Sequence, residues 1–225
     1  MHPSQFEKVE ITCPVCLNEE QGTIWQRINA QSDPDLKQRL LKKTLQVHPC
    51  SNCGHEVLIS TDFVYVDPDK KLIIACQPSS GADRHNQSIP SWQQTASDNG
   101  WLARITINTN QLIEKIHVLD NRKDDRLIEL VKLSLLRQPD QSIKPSRLYY
   151  YSTGDPQDSK LRFMAETKNG QWYHLDLDQE IYENTRNMVH QSKIRLTQPL
   201  IVDETYATSL LRSLAQQYDA RESQP

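Results

Sequence analysis

The chain has 225 residues, 36% hydrophobic, 24% charged and 7% aromatic, with only six glycines and a formal charge of −3 when histidines are neutral. That composition excludes collagen, coiled coil and wholesale disorder, and describes one or two globular domains with enough apolar mass for a core. A small negative charge gives no summed field to draw in nucleic acid or an anionic membrane, so either contact has to be local. The start, Met1-His2-Pro3-Ser4-Gln5, lacks the basic-then-apolar pattern of a leader, and the longest apolar run, Leu72 to Cys76, is too short to span a bilayer. A cytoplasmic protein without membrane contact is expected.

The first chemical signal along the chain is Cys13-Pro14-Val15-Cys16, answered later by Cys50-Ser51-Asn52-Cys53; a fifth cysteine, Cys76, ends an apolar stretch and reads as a small core residue. Two residues between cysteines let a tight turn aim both sulfurs at one point, and two such turns complete a tetrahedron. In a reducing compartment four paired thiols favour zinc over disulfides, and neither pair opens a helix as a thioredoxin-like redox pair would. Cys13, Cys16, Cys50 and Cys53 are therefore the expected ligands of a structural Zn²⁺. Four thiolates make a closed site of charge −2 with no open position for water or substrate, so no catalytic residue and no organic cofactor is expected. His48 and His55 flank the second pair and read as bystanders, each able to replace a cysteine. Gly54 can take positive φ directly after the second pair, whereas Leu17 stands at the same place after the first and predicts a less regular turn.

Between the pairs, 33 residues intervene, more than a minimal ribbon needs. Gly22 to Asn29 alternates as a strand, and Ser32-Asp33-Pro34-Asp35 opens a helix from Asp33 to Thr44 with Leu36, Leu40 and Leu41 buried. Its other face carries Lys37, Arg39, Lys42 and Lys43, the most basic patch in the chain and the basis of a nucleic-acid reading for the helix segment 35–43. Three strands follow, His55 to Ser60, Asp62 to Asp67 and Lys71 to Gln77, extending the ribbon into a sheet. Residues 77–100 show neither period and read as a long loop in which Trp92 anchors back to the core. Trp101 to Ile107 is a further strand. A helix then starts at Thr109 or Asn110 and runs to about Val118, and a second runs to Arg137. In that second helix Leu127, Ile128, Leu130, Val131, Leu133, Leu135 and Leu136 wrap nearly the whole circumference, which makes it a central helix or part of an interface.

These segments resemble the CpXC-domain proteins of bacteria and archaea. The resemblance lies in CPVC, HPCSNCG, FVYVD, LIEKI (Leu112 to Ile116) and DDRLIELVK (Asp124 to Lys132), in that order, and covers roughly residues 9 to 137. It implies metal binding by the four paired cysteines and no established activity; Leu17 departs from the family's usual glycine. The charged residues it includes, Glu114, Lys115, Asp124, Asp125, Arg126, Glu129 and Lys132, invite a metal-dependent hydrolase reading through Glu114, Asp124, Asp125 and Glu129. The competing reading, favoured here, places Asp124 and Asp125 at a helix start, pairs Glu129 with Lys132, and lets a buried lattice of ion pairs join the two helices.

Beyond a linker at 138–146, Arg147 to Thr153 is a strand, and Ser159 to Thr167 and Gln171 to Leu177 form a hairpin. A three-residue loop, Lys168 to Gly170 with Gly170 left-handed, pairs Leu161 with Leu177, Phe163 with Leu175 and Ala165 with Tyr173, and sets Arg162 against Asp176 on the other face. That register weakens the superficial nuclease-like pattern Asp158…Glu166-Thr167-Lys168, because Lys168 falls in the turn. Helices from Asp178 to Ser192 and Asp203 to Tyr218 finish the chain, the last with Ala207, Leu210, Leu211, Leu214 and Tyr218 as its apolar stripe. The expected fold is α+β: a zinc-ribbon-containing mixed-sheet domain with packed helices over 1–137, a small C-terminal hairpin and helix unit over 147–218, and a disordered tail at 219–225. The expected role is a non-catalytic zinc-binding assembly module with a protein partner or a second copy of itself, a subunit of a bacterial complex.

Overall fold

The computed structural model describes residues 2–78, 99–138, 144–155 and 159–222. Trp92 and most of the 77–100 stretch, 139–143 of the linker, Asp158 and the last three residues lie outside the described residues. The chain divides into two compact units, Met1–Ile113 and Glu114–Pro225.

The first unit is built on a five-stranded mixed sheet of order β1-β2-β5-β6-β7, from β1 (Gln5–Thr12), β2 (Glu19–Asn29), β5 (Phe63–Asp67), β6 (Leu72–Cys76) and β7 (Leu102–Thr106). Strands β1 and β2 form an antiparallel ribbon, yet only Arg27 to Asn29 of β2 pair with β5. Most of the ribbon therefore projects beyond the sheet, with β1 exposed at almost every position. Helix α1 (Pro34–Leu41) packs on β2 through Leu36 and Leu40. It ends three residues before the expected Thr44, because Lys43 turns left-handed at φ 59° and the Thr44 N–H bonds back to the Arg39 carbonyl at 2.9 Å.

Strands β3 (Val47–Pro49) and β4 (Glu56–Leu58) form a separate two-stranded sheet that carries the second cysteine pair at its turn. The strand expected from His55 is thus a short hairpin arm and not an extension of the main sheet. Strands β6 and β7 run parallel. Parallel neighbours need a crossover of a dozen or more residues, which accounts for the length of the 77–100 connection. Cys76 is fully buried, as expected, and burial pushes its thiol up to about 12.

The second unit packs helices on one face of an antiparallel sheet of order β10-β9-β8, from β8 (Pro145–Tyr151), β9 (Lys160–Thr167) and β10 (Trp172–Asp178). The hairpin register is the expected one: Leu161 faces Leu177, Phe163 faces Leu175, Ala165 faces Tyr173 and Arg162 faces Asp176. Gly170 closes the three-residue loop at φ 78°. Helix α3 (Asp125–Leu136) is the central helix, packed against β8, α4 (Glu180–Ser192) and α5 (Glu204–Glu222). Leu127, Ile128, Val131, Leu133 and Leu135 share one apolar cluster with Leu148, Phe163, Ala165, Tyr182, Val189, Ala207 and Leu210. Tyr218, expected in the apolar stripe of α5, is exposed instead. On the open face of the sheet Tyr149 stacks on Trp172 and the Tyr151 hydroxyl bonds His174 Nδ1 at 2.8 Å, so edge-strand aromatics roof the central strand. Among the described residues no helix is long and apolar enough to cross a membrane.

Candidate metal centre

The two cysteine pairs fold into the same turn twice. After Cys13, the Leu17 N–H bonds the Cys13 carbonyl and the Cys13 N–H bonds the Asn18 carbonyl, both at 2.9 Å; after Cys50, Gly54 and His55 make the equivalent bonds with Cys50, again at 2.9 Å. Leu17 adopts φ 59° and Gly54 φ 72°, so the leucine takes the left-handed conformation normally left to glycine, and the first turn is as regular as the second. The less regular turn expected from Leu17 does not occur, because two main-chain hydrogen bonds hold the knuckle whatever residue stands there.

These knuckles bring the four sulfurs within 4.8 Å of one another. Cys13 Sγ lies 3.6 Å from Cys53 Sγ and Cys16 Sγ lies 3.6 Å from Cys50 Sγ. A tetrahedron with metal–sulfur arms of about 2.3 Å has edges of about 3.8 Å, close to these separations, whereas a disulfide requires about 2.05 Å. All five cysteines are free thiols, and the four-sulfur cluster can hold a metal ion.

The electrostatics of the four converging sulfurs favour a bound cation. The Asn52 side chain and the Asn18 backbone N–H hold the Cys16 thiol down at about 6. For Cys53, the His55 backbone N–H favours the thiolate, but Cys16, burial and the other thiols outweigh it and push the group up to about 12. Cys50 also benefits from backbone N–H groups, of Cys53 and Asn52, yet burial and its sulfur neighbours leave it above the ordinary thiol range. One thiolate forms readily and discourages the rest; a divalent cation removes that conflict.

Neither flanking histidine belongs to the cluster. His48 Nε2 stands 3.2 Å from Glu20 Oε1, a close approach without the alignment of a hydrogen bond. The His55 ring takes no part; its backbone does, the carbonyl accepting the Cys50 N–H and the N–H favouring the Cys53 thiolate. Glu20, which no motif pointed to, links the hairpins: its carboxylate accepts the Ser51 N–H at 3.0 Å, and hydrogen bonds from Ser51 hold it below the usual carboxylate range. Gly22 is the other unforeseen residue, since a Cβ there would strike the Ile11 side chain, which lies across it just before the first knuckle.

The other candidate residues are placed differently. Of the basic helix, Lys37 is turned to Asp67 at 3.5 Å while Arg39, Lys42 and Lys43 are exposed. Glu166 faces Arg147 at 3.3 Å and Lys168 lies in the turn, so the nuclease-like pair does not project together. Asp124 caps α3 by accepting the Arg126 N–H at 2.9 Å and grips the Arg126 guanidinium through both oxygens. Glu114 and Lys115, on α2 (Thr109–Asp120), join Asp125, Glu129 and Lys132 in a buried lattice. Lys115 Nζ lies 3.3 Å from Asp125 and 3.2 Å from Glu129; Lys132 Nζ lies 2.9 Å from Glu114 and 3.0 Å from Glu129.

The second oxygen of Glu114 accepts the Tyr150 N–H at 2.7 Å. Burial works against charge on Lys132, but Glu114 and Glu129 outweigh it and hold the ammonium above the ordinary lysine range. Burial also raises Glu114 above the carboxylate range against the pull of Lys132. The two directions agree: Lys132 keeps its charge between Glu114 and Glu129, while burial favours a proton on Glu114.

The profile of a family described as CpXC protein matches residues 11–132, from just before the first knuckle to Lys132 of the lattice. No curated protein and no solved structure matches the chain. The match takes in more than half of the sequence, both cysteine knuckles and the lattice-bearing α3, and on it the chain belongs to the CpXC family.

Proposed function

We propose that this is a non-catalytic protein in which a structural Zn²⁺, held by Cys13, Cys16, Cys50 and Cys53, fixes the tip of the β1–β2 ribbon as an interaction and assembly module. The observation that carries the reading is the convergence of four sulfurs within 4.8 Å from two matching turns. Bound there, the ion would cross-link two hairpins that have little core of their own, with no coordination position left for a substrate. Two further facts support a role without chemistry. The carboxylates of the hydrolase reading already bind ammonium groups, a guanidinium or backbone N–H donors, and Glu114, Asp125 and Glu129 are buried. Lys37, the least exposed of the four cations of the nucleic-acid reading, is engaged by Asp67. A ribbon exposed along most of β1 and joined to its sheet by three residue pairs suits a projecting contact arm in a complex or a homo-oligomer.

Native mass spectrometry with elemental analysis tests the metal: one zinc per chain of 26.1 kDa is expected. Metal-free protein, or cysteines cross-linked to one another, overturns it. Size-exclusion chromatography with light scattering and in-cell cross-linking test assembly, and a strictly monomeric protein that cross-links to nothing overturns that part.

A further inference from the structure

We infer that the exposed first knuckle, Pro14, Val15 and Leu17, is the docking surface for a basic, apolar polypeptide segment of a partner protein; this rests on the interaction-module reading and names its partner class.

The two knuckles have the same backbone and opposite surfaces. The second carries Ser51, Asn52 and Gly54, polar or without a side chain, and its left-handed position costs nothing. The first places Leu17 in that conformation, where the Cβ of an L-residue crowds the following carbonyl oxygen. No burial offsets that crowding, because Leu17 is 74% exposed and Val15 beside it 63% exposed. A leucine held outward at a strained position contributes nothing to the fold and suits a contact that forms in a complex.

Charge selects the occupant. Residues 10–20 and 48–58, which make up the two knuckles and their flanks, contain Glu10, Glu19, Glu20 and Glu56 and neither lysine nor arginine. Glu20 is taken up by Ser51, but Glu10, Glu19 and Glu56 are exposed. Four thiolates on a divalent ion add two further negative charges. Phosphate backbones and anionic membranes are repelled by such a tip. A polypeptide segment with leucine-like anchors for Val15 and Leu17, flanked by lysine or arginine, matches it in both respects, and the field speeds its encounter.

The test uses the zinc-loaded full chain and a fluorescein-labelled twelve-residue peptide of alternating lysine and leucine, read by anisotropy. Comparators are the same peptide with glutamate for lysine, a lysine-only peptide, and a single-stranded DNA oligonucleotide. The lysine–leucine peptide should bind tightest and weaken with salt. Leu17→Gly should weaken it at least tenfold while zinc stoichiometry is kept and the melting temperature holds or rises; Glu19→Gln with Glu56→Gln should weaken it and flatten its salt dependence. The proposal is overturned if the peptide fails to bind, if Leu17→Gly binds it as well as the parent, or if any comparator binds equally or better. Zinc content, measured before any peptide is added, separates this failure from failure of the module reading, which would show as protein without metal.

Discussion

The metal-bearing hairpins and the C-terminal unit solve the same problem with opposite means. In the second unit, a helix apolar on nearly all sides, three strands and two further helices supply a continuous core, and even its buried charges pair with one another. Around the knuckles the chain buries little beyond Cys13 and Cys50: β1 contributes Ile11 alone, β3 and β4 are three residues each with no buried side chain, and Pro14, Val15, Leu17, Ser51 and Asn52 are exposed. Burial at about 25 cal/mol per Å² stabilises the first kind of structure, whereas the second depends on a cross-link. The difference teaches where each region is vulnerable, and mutations can be aimed at one without the other.

The largest effect should come from metal removal. Structural zinc in small modules is worth on the order of 10 kcal/mol, more than hairpins this short can replace. A strong chelator, or Cys50→Ser, should abolish hydrogen-exchange protection at the Cys13, Leu17, Cys50 and Gly54 amides, which close the knuckles. Amides of α3 should stay protected. Equal loss in both places would show that the contrast drawn here is wrong. Acid should release the ion for the same reason, because protons compete for the thiolates.

Next in size is the lattice. Lys132→Met leaves Glu114 and Glu129 buried without their shared cation and should cost about 3–5 kcal/mol in chemical denaturation. The double change Lys132→Met with Glu114→Leu should recover part of that loss, since apolar replacement of buried charge is often neutral. The lattice also predicts a pH dependence with a definite sign. Glu114 is raised in the folded protein, so the native state holds a proton that the unfolded chain has released. Its contribution is fully present below the ordinary glutamate range and is lost as pH rises through the elevated value. Glu114→Gln should flatten that limb of the stability profile, and an unchanged slope would show that another group carries the proton.

Gly22→Ala tests the ribbon itself at a smaller scale. The new methyl meets Ile11, whose displacement should cost about 1–3 kcal/mol and weaken the first knuckle without touching a cysteine. The melting temperature of the zinc-loaded protein reads this change.

What could be seen in the sequence follows the same divide. Both knuckles were legible because ligand spacing is a local constraint, and the β9–β10 register was legible because loop length decides which side chains share a face. The lattice could be anticipated because its charges interrupt an otherwise apolar helix. Strand β1 is hard to see in the sequence because only its second half alternates, with Val9 and Ile11 turned in, while Gln5 to Lys8 are all exposed. The parallel β2–β5 and β6–β7 pairings and the Glu20 clasp are tertiary, and nothing near those residues in sequence encodes them. The left-handed turn at Leu17 is hidden from the sequence for a related reason. Its conformation is imposed by hydrogen bonds to residues on either side of it, and its own preference is overruled.

That overruling gives the smallest and most pointed prediction. Leu17→Gly removes a left-handed penalty of about 1–2 kcal/mol and adds back about 0.5–1 kcal/mol of unfolded-chain entropy, for a net gain of about 0.5–1 kcal/mol. No packing is lost, since the side chain is exposed. The same change at Gly54 in reverse, Gly54→Leu, should cost a similar amount, because its φ of 72° and open surroundings match those of Leu17. Thermal melts of the two zinc-loaded variants should therefore move in opposite directions by comparable amounts. If Leu17→Gly instead lowers the midpoint, the leucine contributes to the fold after all, and its exposed side chain at a strained position no longer marks a surface kept for a partner.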